Sequence, residues 1–457
     1  MKQHIQQALM ILLIISVTFL SCQKEINESS KQNDPSADLL KNKDQGHLKQ
    51  TKTFSSEVVI QWLNQQLNML RVPMPAGTGS QGADRCQAYC GIALYEAVVP
   101  GMPAYQSLSG QLTDFPEMPK AEPGKAYHWA ASANAALAEM NRKLFPTTAD
   151  ANKTAMNALE STLEATYAGE VSAEVLQRSV AFGKEVATRV FAWAATDGSA
   201  NVNPPYVPPV GPGLWVPTPP PPAAINPYAF QRRLLVPGVK AGTELPALPA
   251  YSTDPASPFY AMVKNVYDKS LVLTDDQKAM AVYHRDNPGY PGGGHFVSIL
   301  SQVFSKANPM LDLAALSYAS MGIAQHDATI ILFTDKYTKL VVRPITYIRN
   351  VMGHAAWSPH IPTPNHPEYP SGHATTNGAA LGILKHHFGA NFQITLHTYD
   401  YLPLPSRSYN SFDEMSKEMA DSRVYGGIHY QTSCDNSLVQ GKQIAANVIS
   451  NVKFLKE

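Results

Sequence analysis

The sequence predicts an all-α protein, a helical bundle crossed by one long proline-rich wrap. Three observations point there: apolar residues recur at helical spacing along most of the chain, β-branched runs are short and seldom alternate, and prolines crowd into Asn203 to Ala224. With 457 residues, 44% of them hydrophobic, the chain can bury one large core or two moderate ones. That composition excludes a disordered chain or a small stapled domain. Lys plus Arg and Asp plus Glu both number 36, which removes any global argument for nucleic acid or a bulk acidic partner. Any attraction for anions is therefore local.

At the N-terminus, Lys2 and His4 precede the apolar run Ala8 to Leu20, which has the length of a signal-peptide core and is short for a bilayer span. The run ends in Thr18-Phe19-Leu20-Ser21-Cys22, which resembles the lipobox of bacterial lipoproteins, with Phe19 where leucine is usual. That resemblance implies an acylated Cys22, a lipid anchor as the only membrane contact, and a place at the bacterial cell envelope. Gln23-Lys24-Glu25 loosely resemble export signals of some surface lipoproteins. The expected organisation is a signal peptide over 1–22, a polar tether over 23–53 that cannot offset its ordering entropy by burial, and one catalytic unit over 54–457. Cys86 and Cys90, four apart in a helical pattern, have poor disulfide geometry and read with Cys434 as buried free thiols. No Cys/His spacing suggests zinc.

Within the catalytic unit, N-terminal helices are expected over 54–200. Val58 to Leu70 and Asp84 to Val98 carry apolar residues at helical spacing, Ala126 to Leu144 is alanine-rich, and Thr148 to Tyr167 and Ser172 to Ala195 continue the pattern. The stretch 203–224 holds Pro204-Pro205, Pro208-Pro209 and Pro219 to Pro222, so it is neither helix nor central strand. Trp215 within it argues for a surface wrap that packs, rather than a linker. A motif-bearing helical core follows over 257–453, opening with Pro258 before Phe259 to Asp268, then Asp275 to Arg285, His295 to Ser305 and Leu311 to Phe333. The glycine run Asn287 to Gly294 permits close backbone approach and makes the adjoining His295 a candidate lining residue.

Tyr369-Pro370-Ser371-Gly372-His373-Ala374, followed by a run of small residues, reads as a loop giving way to a helix start. Ser371 is a natural cap, and Gly372 lets backbone approach a ligand, so amide donors and the positive helix end face one spot suited to an oxyanion. His373 is placed to move a proton there. Lys336, Arg343 and Arg423 add three positive charges, the arginines with planar bidentate donors for tetrahedral oxyanions. Lys336 and Arg343 are seven apart and would share a helix face, but Pro344 pushes Arg343 toward a helix end or the following loop.

Lys336-x6-Arg343-Pro344, Pro370-Ser371-Gly372-His373 and Ser422-Arg423-x5-His429 together resemble the three-part signature of the superfamily that joins type 2 phosphatidic acid phosphatases and vanadium-dependent haloperoxidases. The resemblance is strongest over Leu311 to Ile449, and reaches more faintly to Asp84 to Val98, to the Trp215 stretch and to the glycine run, as in bacterial haloperoxidase-like lipoproteins. It implies that His429 is either the nucleophile of a phosphatase or the ligand of vanadium. In the first case His429 forms a phospho-enzyme and His373 protonates the leaving alkoxide, with no cofactor required. In the second the cofactor is vanadate, His373 helps to protonate bound peroxide, and halide is oxidised to a hypohalous equivalent.

Other positions enter through the same resemblance. Many members carry an acid four residues after the motif histidine, but Ser433 stands there and Asp435 is the nearest acid. A backbone carbonyl could also orient His429. Asp327 matches a recurrent aspartate that orients His373 or binds an arginine. Phe333 stands where many haloperoxidases have tryptophan, and His366 occupies a position that is often Phe or His and can hydrogen-bond the cradle. The strings around Lys336, Arg343 and Ser371 look closer to the haloperoxidase branch than to membrane lipid phosphatases, and no mature segment has eighteen consecutive apolar residues. The reading is a haloperoxidase-type enzyme acting on halide and peroxide, with a soluble phosphomonoesterase acting on a phosphate ester as the alternative. A lipoprotein that only binds ligands is a third reading, opposed by a complete set of charges that are costly to hold together. Oligomeric state is left open.

Overall fold

The computed structural model describes residues 49–71, 80–218, 223–285 and 294–456, apart from the side chains of Ser80 and Gln81. Cys22 and its leader, the tether up to residue 48, Pro219 to Pro222 and the glycine run as far as 293 lie outside them. Thirteen α-helices, three short 3-10 turns and one two-stranded ribbon make up the regular structure of the described residues. The N-terminal helices are α1 (Glu57–Leu70), α2 (Ser80–Val98), α3 (Trp129–Leu144), α4 (Asp150–Ala168) and α5 (Ala173–Ala194). After the wrap come α6 (Pro258–Leu271), α7 (Asp275–Tyr283), α8 (Gly294–Ala307), α9 (Leu311–Lys339), α10 (Pro344–Asn350), α11 (Gly372–Phe388), α12 (Phe412–Tyr425) and α13 (Gln431–Asn451). No described helix is long and apolar enough to cross a membrane.

Several helix starts follow from local chemistry. The Ser172, Ser257 and Ser411 side chains accept hydrogen bonds from the backbone amides of Val175, Tyr260 and Glu414, and Thr274 forms a capping box with Gln277. Pro258 and Pro344 sit at first helical positions, where a missing N–H costs nothing. Beyond the helices, β1 (Ile394–Leu396) and β2 (Arg407–Tyr409) form an antiparallel ribbon with Thr395 opposite Ser408. Each strand is three residues long, too short to leave a sequence pattern of its own.

The centre of the bundle is α9, buried on every side from Ala314 to Phe333. A helix buried all round must let its neighbours come close, and small residues permit this. Its main partners are α2 and α11, and α11 in turn packs on α13. A Cβ on Gly322 would lie 2.8 Å from Ala88 Cα, and one on Gly378 would lie 2.6 Å from the Leu438 carbonyl oxygen. Glycines therefore set both crossings.

The wrap has a structural task. Trp215 is fully buried, its amide donates to the Leu340 carbonyl at 2.6 Å, and the Val342 amide donates to the Gly213 carbonyl at 3.0 Å. Leu340, at a φ of +50°, stops α9. The wrap thus holds by backbone hydrogen bonds the short link that leads from Lys336 to Arg343. The buried Cys86, Cys90 and Cys434 are free thiols.

Gly441 faces the α11 crossing, where an added Cβ would lie 2.9 Å from Gly378 Cα. Gly441→Ala is expected to lower stability by about 1–3 kcal/mol through overpacking, read by chemical denaturation. An unchanged midpoint would mean that α11 and α13 are not held in backbone contact.

Candidate oxyanion site

Three links between helices meet at one end of α9: residues 340–343, residues 365–371 leading into α11, and residues 426–430 leading into α13. Lys336 and Arg343 tie them together. The buried Lys336 ammonium donates to the carbonyls of Pro367 at 2.9 Å, Glu368 at 3.1 Å and Pro370. Arg343, the N-cap of α10, is also buried; its Nε donates to the His366 carbonyl at 2.9 Å and its guanidinium donates to the Ile428 carbonyl at 2.8 Å. The same guanidinium lies 3.2 Å from His429 Nε2 and 2.9 Å from His366 Nδ1. Because α9 ends at Lys339, the two cations sit on separate elements and converge from different directions. Arg423, in the last turn of α12, donates to the His284 carbonyl at 2.9 Å.

The electrostatics of this end are unbalanced. Lys336, Arg343 and Arg423 are each at most 3% exposed, and among the described residues Glu368 is the one buried carboxylate that meets them. Burial, reinforced by Arg343, holds the Lys336 pKa well below its ordinary value. Burial brings Arg343 down to about 10, against the pull of Glu368. Ser371 is the N-cap of α11, and its buried hydroxyl has no hydrogen-bond partner, although the Cys434 thiol lies nearby. Half-exposed Gly372 and His373 open the first turn of α11 toward solvent. Surplus positive charge, an orphaned hydroxyl and a helix N-terminus all suit an oxyanion.

Glu368 carries the largest correction to the sequence reading. Its carboxylate accepts from His429 Nδ1 at 2.7 Å and from the Tyr430 amide at 3.1 Å. Burial pushes its pKa up to about 7, while Arg343 and Lys336 pull it down. Since Nδ1 carries the proton toward Glu368, the Nε2 lone pair of His429 faces the cations, and burial beside Arg343 holds this imidazole neutral, well below its ordinary pKa. Asp435 has no part in this: it is exposed and accepts from Gln431 at 3.1 Å. Ser433, on the first turn of α13, instead lies beside Glu368. A signal for Glu368 did exist, an acidic residue fixed three positions before Ser371, but nothing in the spacing says that a chain segment 61 residues away from His429 would meet it.

Asp327 is a second correction. Its carboxylate accepts from the backbone amides of Leu235 at 2.7 Å and Val236 at 3.0 Å, with His326 Nδ1 at 3.3 Å. It fixes the strap after the wrap to the middle of α9 and orients neither His373 nor an arginine. His295 stacks on His284 at 5.7 Å, one layer behind Arg423. His366 is held in the cradle: its Nδ1 accepts a hydrogen bond from Arg343, and Phe333 meets its ring edge-on at 5.4 Å. Burial and Lys336 hold His366 well below its ordinary pKa, with His373 among the charges it feels.

A family model described as the second helical-bundle domain of VCPO matches residues 316–457. The structure is similar to that of the first bacterial vanadium-dependent iodoperoxidase, with a TM-score of 0.77 at 27% identity, covering 88% of this chain and 98% of that one. It also resembles a bacterial vanadium-dependent chloroperoxidase in its holo form, with a TM-score of 0.63 at 18% identity over 84% of this chain and 95% of the other. The apo form of a bacterial vanadium-dependent chloroperoxidase gives 0.64 at 18% identity, over 83% and 95%. No curated protein matches the chain in sequence.

Glu368→Ala removes a charge-assisted hydrogen bond of about 1.5–3 kcal/mol. Nitrogen NMR of His429 is expected to show the proton on Nδ1 in the parent and a mixture of tautomers in the variant. A His429 tautomer that ignores the substitution would remove Glu368 from this role. Behind Arg423, His284 is buried and its pKa is lowered to about 4, by burial against the opposing hydrogen bond to Glu418. The unfolded histidine titrates near 6.5, so the unfolded chain binds more protons between these values. His284 therefore contributes fully above about pH 6.5, and its contribution falls by roughly 1.4 kcal/mol per pH unit down to about 4. His284→Gln should flatten the stability curve across that window; an unaltered slope would place the acid sensitivity elsewhere.

Proposed function

We propose that this chain, which belongs to the superfamily of vanadium haloperoxidases and type 2 phosphatidic acid phosphatases, is a vanadium-dependent haloperoxidase-type enzyme that oxidises halide with hydrogen peroxide. The observation that carries the proposal is His429 Nε2, which accepts from the buried Arg343 guanidinium at 3.2 Å within the charge of Lys336 and Arg423, while Glu368 accepts the proton of the other nitrogen. Such a nitrogen could ligate the metal of an oxyanion, and the surplus charge of Lys336, Arg343 and Arg423 would balance its negative oxygens. Bound vanadate would supply the centre at which hydrogen peroxide becomes an oxygen donor to halide. Lys336 and the two arginines would hold that anion, and Ser371, whose buried hydroxyl has no partner, would offer it a hydrogen bond. His373, half-exposed at the start of α11, would be the residue to carry a proton between solvent and the bound anion. Likeness to the iodoperoxidase over nearly all of its length favours this chemistry. Cys22 would anchor the protein at the cell envelope.

A phosphomonoesterase is the second reading, because the same Nε2 lone pair is placed to attack phosphorus as well as to bind vanadium. The leaving alkoxide would then take its proton from His373.

Purified protein incubated with orthovanadate is expected to oxidise iodide or bromide with hydrogen peroxide, and His429→Ala to abolish this with an unchanged circular dichroism spectrum. Turnover of a chromogenic phosphate ester that vanadate inhibits, without halide oxidation, would replace the proposal with the second reading. Halide oxidation that persists in His429→Ala would remove both.

A further inference from the structure

Away from the oxyanion site, a half-open pocket of about 410 Å³ lies at the C-terminal end of α5, between residues 195–201 and 231–233. Its size is that of small-ligand pockets. Both walls are fixed. Gly198, at a φ of +85°, approaches Gln231 so closely that an added Cβ would lie 2.5 Å from the Gln231 carbonyl oxygen, and Asn201 donates to Gln231 at 3.3 Å. The Arg233 amide donates to the Asp197 carbonyl at 2.9 Å.

Three arginines crowd this place, and two of them are used by the fold. Arg85 donates to Asp197 Oδ2 at 2.5 Å and to the Ala194 carbonyl at 2.6 Å. Arg233 donates to the Trp193 carbonyl at 2.6 Å and to Thr196 at 3.0 Å, with its guanidinium 4.4 Å from the Trp193 ring. These are caps on the last carbonyls of α5. Arg232 is different. It lines the pocket and is half-buried; its backbone amide donates to the Ala229 carbonyl, but its guanidinium makes no hydrogen bond or ion pair among the described residues. The nearby carboxylate cannot take it on, because Asp197 Oδ2 also accepts from Tyr89 at 3.0 Å and Oδ1 from the Ser199 amide at 2.8 Å. Asp114, the other lining acid, is exposed at the rim and forms no ion pair. A guanidinium withdrawn from water without a partner is costly unless something else supplies the acceptors. Burial lowers the Arg232 pKa against the attraction of the nearby Asp197, and the charge of Arg85 adds to the lowering, so a bound anion would relieve both burial and repulsion.

We propose that this pocket is a second anion site, in which Arg232 binds the oxyanion head, phosphate or carboxylate, of a small molecule. It is independent of the proposed halide chemistry. Asp327, by gripping Leu235 and Val236, fixes the strap that carries Arg232 to α9, and Ala229 on the same strap packs on Leu332 and Phe333 beside the first site.

The test is titration of the full chain with inorganic phosphate and, separately, with succinate, followed through the arginine Nε–H resonances by nitrogen–proton NMR. Arg343 and Arg423 report the first site, while Arg232 and Arg233 report the pocket. Saturable shifts of Arg232 and Arg233 with at least one anion are expected, and the more effective anion identifies the head group. Arg232→Gln, which removes no hydrogen bond of the fold, should weaken the response at Arg233 at least ten-fold and leave Arg343 unchanged. No shift at either pocket arginine, or an Arg233 response equal in parent and variant, overturns the proposal.

Discussion

Arg343 is the constraint on which the rest of the site depends. A single buried guanidinium donates to carbonyls from two different links and meets two imidazole nitrogens, so the loops before α11 and α13 cannot move independently. A lysine could not replace it, because the guanidinium spreads its donors over three nitrogens held in one rigid plane, whereas an ammonium donates from a single atom. Its burial beside Lys336 and Arg423 would be prohibitive without acceptors. The backbone supplies them: the carbonyls of Pro367, Glu368, Pro370, His366, Ile428 and His284 all accept from these three cations.

That arrangement depends on helix packing that reaches far from the site. Close crossings at Gly322 and Gly378 allow α9 to lie against α2, and α11 against α13, without side chains between the backbones. With the helices so near, Ser371 on one comes within 2.8 Å of Ser437 on another, and Lys336 reaches the loop that precedes α11. The wrap contributes from outside by pairing with the link between Lys336 and Arg343. Stability and site geometry are therefore one problem in this protein, since the same close contacts serve both.

Charge asymmetry connects the geometry to function. One carboxylate among three cations leaves positive charge in a region of low dielectric, where an anion is held far more strongly than in water. Glu368 offsets part of the charge of Lys336 and Arg343, while its hydrogen bonds go to His429 and the Tyr430 amide. Its effect is to decide which nitrogen of His429 faces the anion.

Much of this was legible in the residue order. The helical spacing along α1 to α9, the packing of Trp215 and the grouping of Lys336, Arg343, Ser371, Arg423 and His429 are local patterns or ordered motifs, which a linear string preserves. The partner of His429 was not legible, nor was the task of Asp327, since each depends on a contact between segments far apart in the chain. An aspartate that caps two backbone amides and one that orients a catalytic histidine look the same in a sequence. What the sequence by itself determined was the all-α architecture and the inventory of charges, because helix periodicity and residue chemistry are properties of short stretches. Only the tertiary structure decided which carboxylate meets which imidazole, because that choice rests on how closely helices cross and where their connecting links converge.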